Sequence, residues 1–233
     1  MSCRKKFVSF SGVDGAGKST QIHTLRTWLE EQGLRVRTIA FWDHIAMLTG
    51  LREGAGHKLF KGDKGVGSPQ KPVNRRDKNV QSWPMFCVRL GLCALDALST
   101  RVHVLRALES DADVVIFDRY IYDQLANLRL RNPLVRGYVR LLMKLVPRPD
   151  MSYLLDADPR QARARKPEYP LDFLHINRRS YLDLADLIGG FTIIPPGPLE
   201  EMRADVLRHA FRELGLEEIA PEQDRGVSLQ RAG

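Results

Sequence analysis

The octapeptide Gly12-Val13-Asp14-Gly15-Ala16-Gly17-Lys18-Ser19 leaves few options for the chain around it. Its spacing is G-x-x-x-x-G-K-[ST], with a short apolar run, Phe7 to Ser11, before it and a helical pattern after it. Glycines here let the backbone turn inward, so that successive N–H groups converge on one point. The helix that follows aims the positive end of its dipole at the same point. Lys18 adds a mobile cation, and the Ser19 hydroxyl is a ligand for a divalent ion. Together these features predict a P-loop: backbone from Gly12 to Thr20 around the phosphates of ATP, Lys18 on the β- and γ-phosphates, and Ser19 on Mg²⁺.

A P-loop needs a parallel sheet behind it, and the rest of the chain supplies the pattern. Short apolar runs at Phe7–Ser11, Val36–Phe41, Val114–Phe117, Ser152–Asp156 and Phe191–Ile194 alternate with longer amphipathic stretches. The stretches expected to be helical are Ser19–Gln32, Met85–Ser110, Leu125–Leu145 with a possible break near Asn132-Pro133, Pro159–Arg165, Leu171–Ile188 and Leu199–Leu214. Alternation of this kind predicts an α/β fold, a P-loop NTPase three-layer sandwich with a parallel sheet of about five strands and helices on both faces. At 233 residues and 43% hydrophobic, the chain can bury one core. A single domain over 1–215 is expected, with a frayed tail over 216–233.

Between Gly54 and Trp83 this rhythm stops. From Lys58 to Lys78 there are seven basic residues against Asp63 and Asp77, and little that could be buried. So long an irregular insert in a compact domain is either functional or disordered. Two readings stay open: a solvated basic loop or a phosphate-contacting segment. The net charge of +8 favours anionic partners without choosing among them. Cys3, Cys87 and Cys93 are too few and too irregularly spaced for a disulfide framework or a zinc site, which points to a reducing compartment. Cys87 and Cys93, in an apolar stretch, are expected to be core thiols. The basic start runs into an apolar run of only about five residues, Phe7 to Ser11, too short for a signal peptide or a membrane span, so a cytoplasmic protein without membrane contact is expected.

A second phosphate-site element is expected at the carboxyl edge of another strand. Val114-Val115-Ile116-Phe117-Asp118 offers four apolar residues and then a carboxylate, placing Asp118 as a Mg²⁺ ligand. Arg119 follows, with a planar fork suited to a phosphate.

The stretch Asp14 to Gln21, together with Asp118-Arg119-Tyr120, resembles the thymidylate kinase family of nucleoside monophosphate kinases. Leu155-Asp156-Ala157-Asp158-Pro159 with Ala162 and Arg165 resembles the family's approach to its lid. Leu171-Asp172-Phe173 through Arg178 to Tyr181-Leu182-Asp183-Leu184-Ala185 resembles the helix after it. These matches run in the family's order from Phe7 to about Ala185. The resemblance implies transfer of the ATP γ-phosphoryl to a bound nucleotide, with thymidine monophosphate (dTMP) the default acceptor. It implies that Arg119 holds the acceptor phosphate and that Asp14 lies beside the acceptor. Ala16 occupies the P-loop position where some members carry a catalytic arginine, so the lid, 163–170, must provide one; Arg163, Arg165 and Lys166 are the candidates, and Arg165 is preferred. Family members pair through long helices, which makes a homodimer possible.

The acceptor half departs from the family pattern. Ala40-Phe41-Trp42 stands where the family has Arg-Glu-Pro. Ala97, beside Asp96, stands where an arginine reads the base, with Arg101 a turn further on as a possible substitute. Asp123 and Asn127 replace a usual serine and aromatic, and the lid, Lys166-Pro167-Glu168-Tyr169-Pro170, is short. The identity of the acceptor is therefore open, and the basic insert is expected to supply the missing charge. A kinase for a nucleoside, sugar or other small molecule is an alternative, as is a nucleotide-binding protein without turnover. Nucleic-acid binding is less favoured, because the insert lacks interleaved aromatic residues for stacking.

Overall fold

The computed structural model describes residues 5–46 and 83–215. Five strands form one sheet: β1 (Lys6–Gly12), β2 (Val36–Ala40), β3 (Val114–Asp118), β4 (Met151–Leu155) and β5 (Thr192–Ile194). Every pairing is parallel, in the order β2-β3-β1-β4-β5. β1, β3 and β4 are flanked on both sides and covered on both faces, which is why their sequences read as apolar runs rather than as alternations. Val8, Phe10, Val115, Ile116, Phe117 and Tyr153 are wholly enclosed. The parallel register brings Gly12 opposite Leu155 and Asp118 opposite both Phe10 and Ala40, so the P-loop and the β3 carboxylate leave the sheet at one edge.

Seven helices complete the described residues: α1 (Lys18–Glu31), α2 (Trp83–Leu108), α3 (Tyr122–Leu125), α4 (Pro133–Leu145), α5 (Pro159–Arg165), α6 (Leu171–Ile188) and α7 (Leu199–Leu214). α1 buries Ile22, Leu25 and Leu29 against the sheet and packs with α7, where Trp28 meets Phe211. α4 packs with both α2 and α6. The expected α/β architecture is therefore present, and most boundaries lie within a residue or two of the sequence reading.

Three expectations need correction. Residues 125–132 do not continue a helix into 133–145: α3 is a single turn, and Asn132 starts α4 afresh by accepting a hydrogen bond from Leu134 N at 2.9 Å, with Pro133 at the first helical position. Phe41 does not end β2 but opens a π-helical turn, Phe41–Ile45, which buries Phe41 and Ile45 four residues apart. Cys93 is buried as expected, but Cys87 is exposed on α2. The insert at 54–83 lies, save for Trp83, outside the described residues, as do Cys3 and the 216–233 tail.

Candidate active site

The P-loop backbone has the shape its glycines predict. Gly12, Gly15 and Gly17 have φ of +140°, +83° and +93°, values that side chains other than glycine's rarely accept. The first hydrogen bond of α1 runs from Gln21 N to Gly17 O at 3.1 Å, so the amides of Lys18, Ser19 and Thr20 have no acceptor within their own helix. Gly17, the N-cap, contributes no side chain to cover them. Ser19 and Thr20 are exposed. Such an end is an anion site by construction.

Lys18 is almost enclosed, 7% exposed, and folds back to donate to Gly12 O at 2.8 Å and Val13 O at 2.9 Å. Burial pushes its ammonium down from 10.5 to about 8; Arg119 adds to the depression, while Asp14, Asp123 and Asp118 oppose it. The lysine thus stands in one electrostatic neighbourhood with three carboxylates and an arginine. That neighbourhood joins the P-loop to the turn that follows β3.

Arg119 sits in that turn with φ of +67°, the one non-glycine residue in the left-handed region among those described. Such a conformation costs on the order of 1 kcal/mol and is characteristic of functional sites. Its amide extends the β1 ladder by donating to Phe10 O at 3.1 Å. The guanidinium bridges two carboxylates, with Nη1 donating to Asp123 Oδ1 at 2.6 Å and Nη2 donating to Asp14 Oδ1. Burial works against the charge, but Asp123, Tyr181 and Asp14 more than offset it and raise the Arg119 pKa further.

Asp123 is the residue that sequence reasoning undervalued. It is 2% exposed, and besides Arg119 it accepts from the Tyr181 hydroxyl at 2.6 Å and from Ser11 Oγ at 2.9 Å. Burial and the neighbouring Asp123 carboxylate hold Tyr181 well above the usual tyrosine range, so it is a neutral donor. The only signal in the sequence is a carboxylate where the family has serine; its partners come from β1 and from α6, 112 and 58 residues away.

The segment read as a lid lies on the P-loop. Asp158 caps α5 by accepting from Arg160 N and Gln161 N, at 2.9 and 3.1 Å. Arg165 reaches back so that its Nη1 lies 3.4 Å from Gly15 O, whereas Lys166 pairs with Glu168 at 3.3 Å. Of Arg163, Arg165 and Lys166, Arg165 is the one whose side chain reaches the P-loop backbone in this way. Behind them, Arg178 clamps Asp156 at the end of β4 with two bonds, of 2.5 and 2.7 Å.

Where the family resemblance sets its acceptor residues, the described positions hold Phe41, Trp42, Asp96 and Ala97. Phe41 fills the position after β2, edge-on to Trp42, and Ser99 of α2 donates to Ile45 O at 2.7 Å to hold the π turn. Ala97 and Asp96 are buried. Arg101, the possible substitute for a base-reading arginine, is exposed and donates to Leu145 O at 3.0 Å. Leu145 ends α4 just before β4 begins, so this contact lies at the sheet edge opposite the P-loop.

A parallel sheet, a glycine-shaped phosphate loop with its buried lysine, and a carboxylate–arginine pair at the next strand end define a P-loop nucleotide-binding enzyme. No family model matches the chain. Among curated proteins it is 31% identical to the thymidylate kinase of Bifidobacterium longum over 194 residues, covering 77% of this chain and 83% of that one. It is 25% identical over 207 residues to a probable thymidylate kinase of Methanosphaera stadtmanae, covering 87% and 95%. To a probable thymidylate kinase of Archaeoglobus fulgidus it is 29% identical over 208 residues, covering 85% and 91%. The chain belongs to the thymidylate kinase family. It is an ATP-dependent nucleotide kinase, a phosphotransferase of nucleotide biosynthesis acting on a nucleoside monophosphate. No helix among the described residues is long and apolar enough to cross a membrane.

Proposed function

We propose that this enzyme moves the γ-phosphoryl of ATP to dTMP. An acceptor phosphate oxygen attacks the γ-phosphorus, the bridge to the β-phosphate breaks, and ADP leaves with the bridging oxygen. Gly12, Val13, Asp14, Gly15, Ala16, Gly17, Lys18, Ser19 and Thr20 form the donor site. In this reading Lys18 leaves Gly12 O and Val13 O for the β- and γ-phosphates, whose negative charge favours its protonated form. Arg119 takes the acceptor phosphate, Asp14 lies between acceptor and P-loop, and Arg165 faces the group in transit. Positioning and fixed charge supply nearly all of the rate, since the transferring group needs little covalent help.

Ser19 and the half-buried Asp118 would hold Mg²⁺. No three His, Cys, Asp or Glu side chains among the described residues form a metal cluster, which fits an ion that shares its shell with phosphate oxygens and water rather than a protein cage. When bound there, such an ion would offset negative charge on the phosphates.

The observation that carries the reading is the ion pair of Arg119 with Asp14 of the P-loop, in one electrostatic neighbourhood with Lys18 and Asp118; it supports donor and acceptor roles for adjoining residues. A screen for ADP release with Mg²⁺-ATP against nucleoside monophosphates, nucleosides and phosphosugars tests it. Turnover with dTMP well above the others is expected. Turnover confined to a nucleoside or a sugar would transfer the assignment to hydroxyl phosphorylation, and silence with every acceptor would indicate binding without turnover.

We assign 1–215 to a single kinase domain, with 163–170 as its short lid, working in the cytoplasm. A homodimer through α2 is supported by an exposed apolar stripe: Val88, Leu95 and Val102 recur every seven residues, as do Leu98 and Leu105. Seven-residue recurrence keeps one seam of a long helix facing a partner.

A further inference from the structure

Asp123 is enclosed and its carboxylate is committed: Oδ1 takes Arg119 Nη1 and the Tyr181 hydroxyl, and Oδ2 takes Ser11 Oγ. With 2% exposure it has no face left for substrate. Its turn is fixed as well, since Asn127 Nδ2 donates to its backbone oxygen at 2.6 Å. The opposite end of the Arg119 fork is different. Asp14, which takes Nη2, belongs to the P-loop and is 20% exposed, as is Arg119 itself. One arginine therefore hangs between a walled-in carboxylate and one at the open site.

We infer that Asp123 is a positioning residue for the acceptor: it holds Nη1 permanently, so that Nη2 alone is presented to the acceptor phosphate, which displaces Asp14. A buried guanidinium needs an anionic partner at every stage, and this arrangement provides one throughout. Asp14 supplies the second partner when the acceptor is absent, and the phosphate supplies it when present. An uncharged residue at 123 would leave both nitrogens to Asp14, whose two oxygens match the fork and would compete with the phosphate. The Tyr181 hydroxyl, from the helix after the lid, narrows the choice further by fixing which Asp123 oxygen faces Arg119. This inference rests on the reading of Arg119 as the acceptor-phosphate ligand.

The test is steady-state kinetics of the full chain with ATP, Mg²⁺ and dTMP, comparing Asp123→Asn, Tyr181→Phe and Arg119→Lys. Asp123→Asn should raise the KM for dTMP about tenfold or more, while the KM for ATP stays within about twofold. Tyr181→Phe keeps the charge and should give a smaller rise, about threefold, again for dTMP alone. A purely structural role would shift both KM values together or lower only the melting temperature, and either result overturns the inference. If Asp123→Asn does not fold, Tyr181→Phe decides by the same criterion. Should Arg119→Lys leave dTMP kinetics unchanged, the acceptor assignment falls and the inference with it. A loss with Arg119→Lys but none with Asp123→Asn or Tyr181→Phe overturns the inference alone.

Discussion

The carbonyl oxygen of Ala162 occupies the space that a β-carbon on Gly15 would need. Helix α5 thus rests directly on the phosphate loop, at a residue whose φ of +83° already excludes other side chains. Gly15→Ala should cost about 2–3 kcal/mol in denaturant unfolding, from backbone strain and displacement of α5 together. Gly137 is the contrasting case, on an exposed face inside α4 with no atom within 4 Å of an added β-carbon. Gly137→Ala should stabilise the protein by about 0.5–1 kcal/mol in the same assay.

Lys18 gives the ligand-free protein a pH signature. Its folded-state pKa of about 8 lies below the unfolded value of 10.5. Below pH 8 both states hold the proton, and the full cost of burying the cation, about 3 kcal/mol, weighs on the fold. Between 8 and 10.5 the unfolded chain binds more protons than the folded one, so stability rises with pH in that window. Unfolding free energies measured at pH 7, 8, 9 and 10 should climb for the wild type relative to Lys18→Met, whose uncharged side chain lacks this slope. Lys18→Ala should also remove turnover; surviving activity would point to another site.

Arg165 is expected to be the cation that meets the transferring phosphoryl group. Arg165→Ala should lower kcat about 100-fold or more with a small change in the KM for ATP. Arg163→Ala and Lys166→Ala should stay within about threefold, Lys166 because its charge is already engaged by Glu168. Equal losses at all three positions would show a diffuse basic surface in place of one catalytic arginine.

The α2 stripe predicts association. Sedimentation velocity should give twice the chain mass for the wild type, and Leu98→Glu with Val102→Glu should halve it. A monomeric wild type would leave the stripe without a partner of its own kind.

How much of this could be read without coordinates differs from place to place. The P-loop was legible because its geometry depends on local residue types, glycines and one lysine within eight positions. β1, β3 and β4 were legible because burial on both faces leaves unbroken apolar runs. The α3–α4 break was half-read: apolar spacing continues through Asn132-Pro133, and only the Asn132 cap reveals that a new helix begins. Cys87 was misplaced because an apolar neighbourhood in sequence does not say which side of a long helix faces outward. The π turn at Phe41–Ile45 and the Asp123 cluster were not legible, since each is fixed by distant groups, Ser99 in one case and Tyr181 and Ser11 in the other.

Helix α6 is fastened twice within one turn, Arg178 to the end of β4 and Tyr181 to Asp123. It is therefore a strut and not a swinging arm. Helix α5 in turn lies between this strut and the phosphate loop, with Ala162 fully buried and its carbonyl oxygen against Gly15. A change that displaced α6 would therefore be felt at three places at once: the end of β4, the Asp123 cluster and, through α5, the phosphate loop.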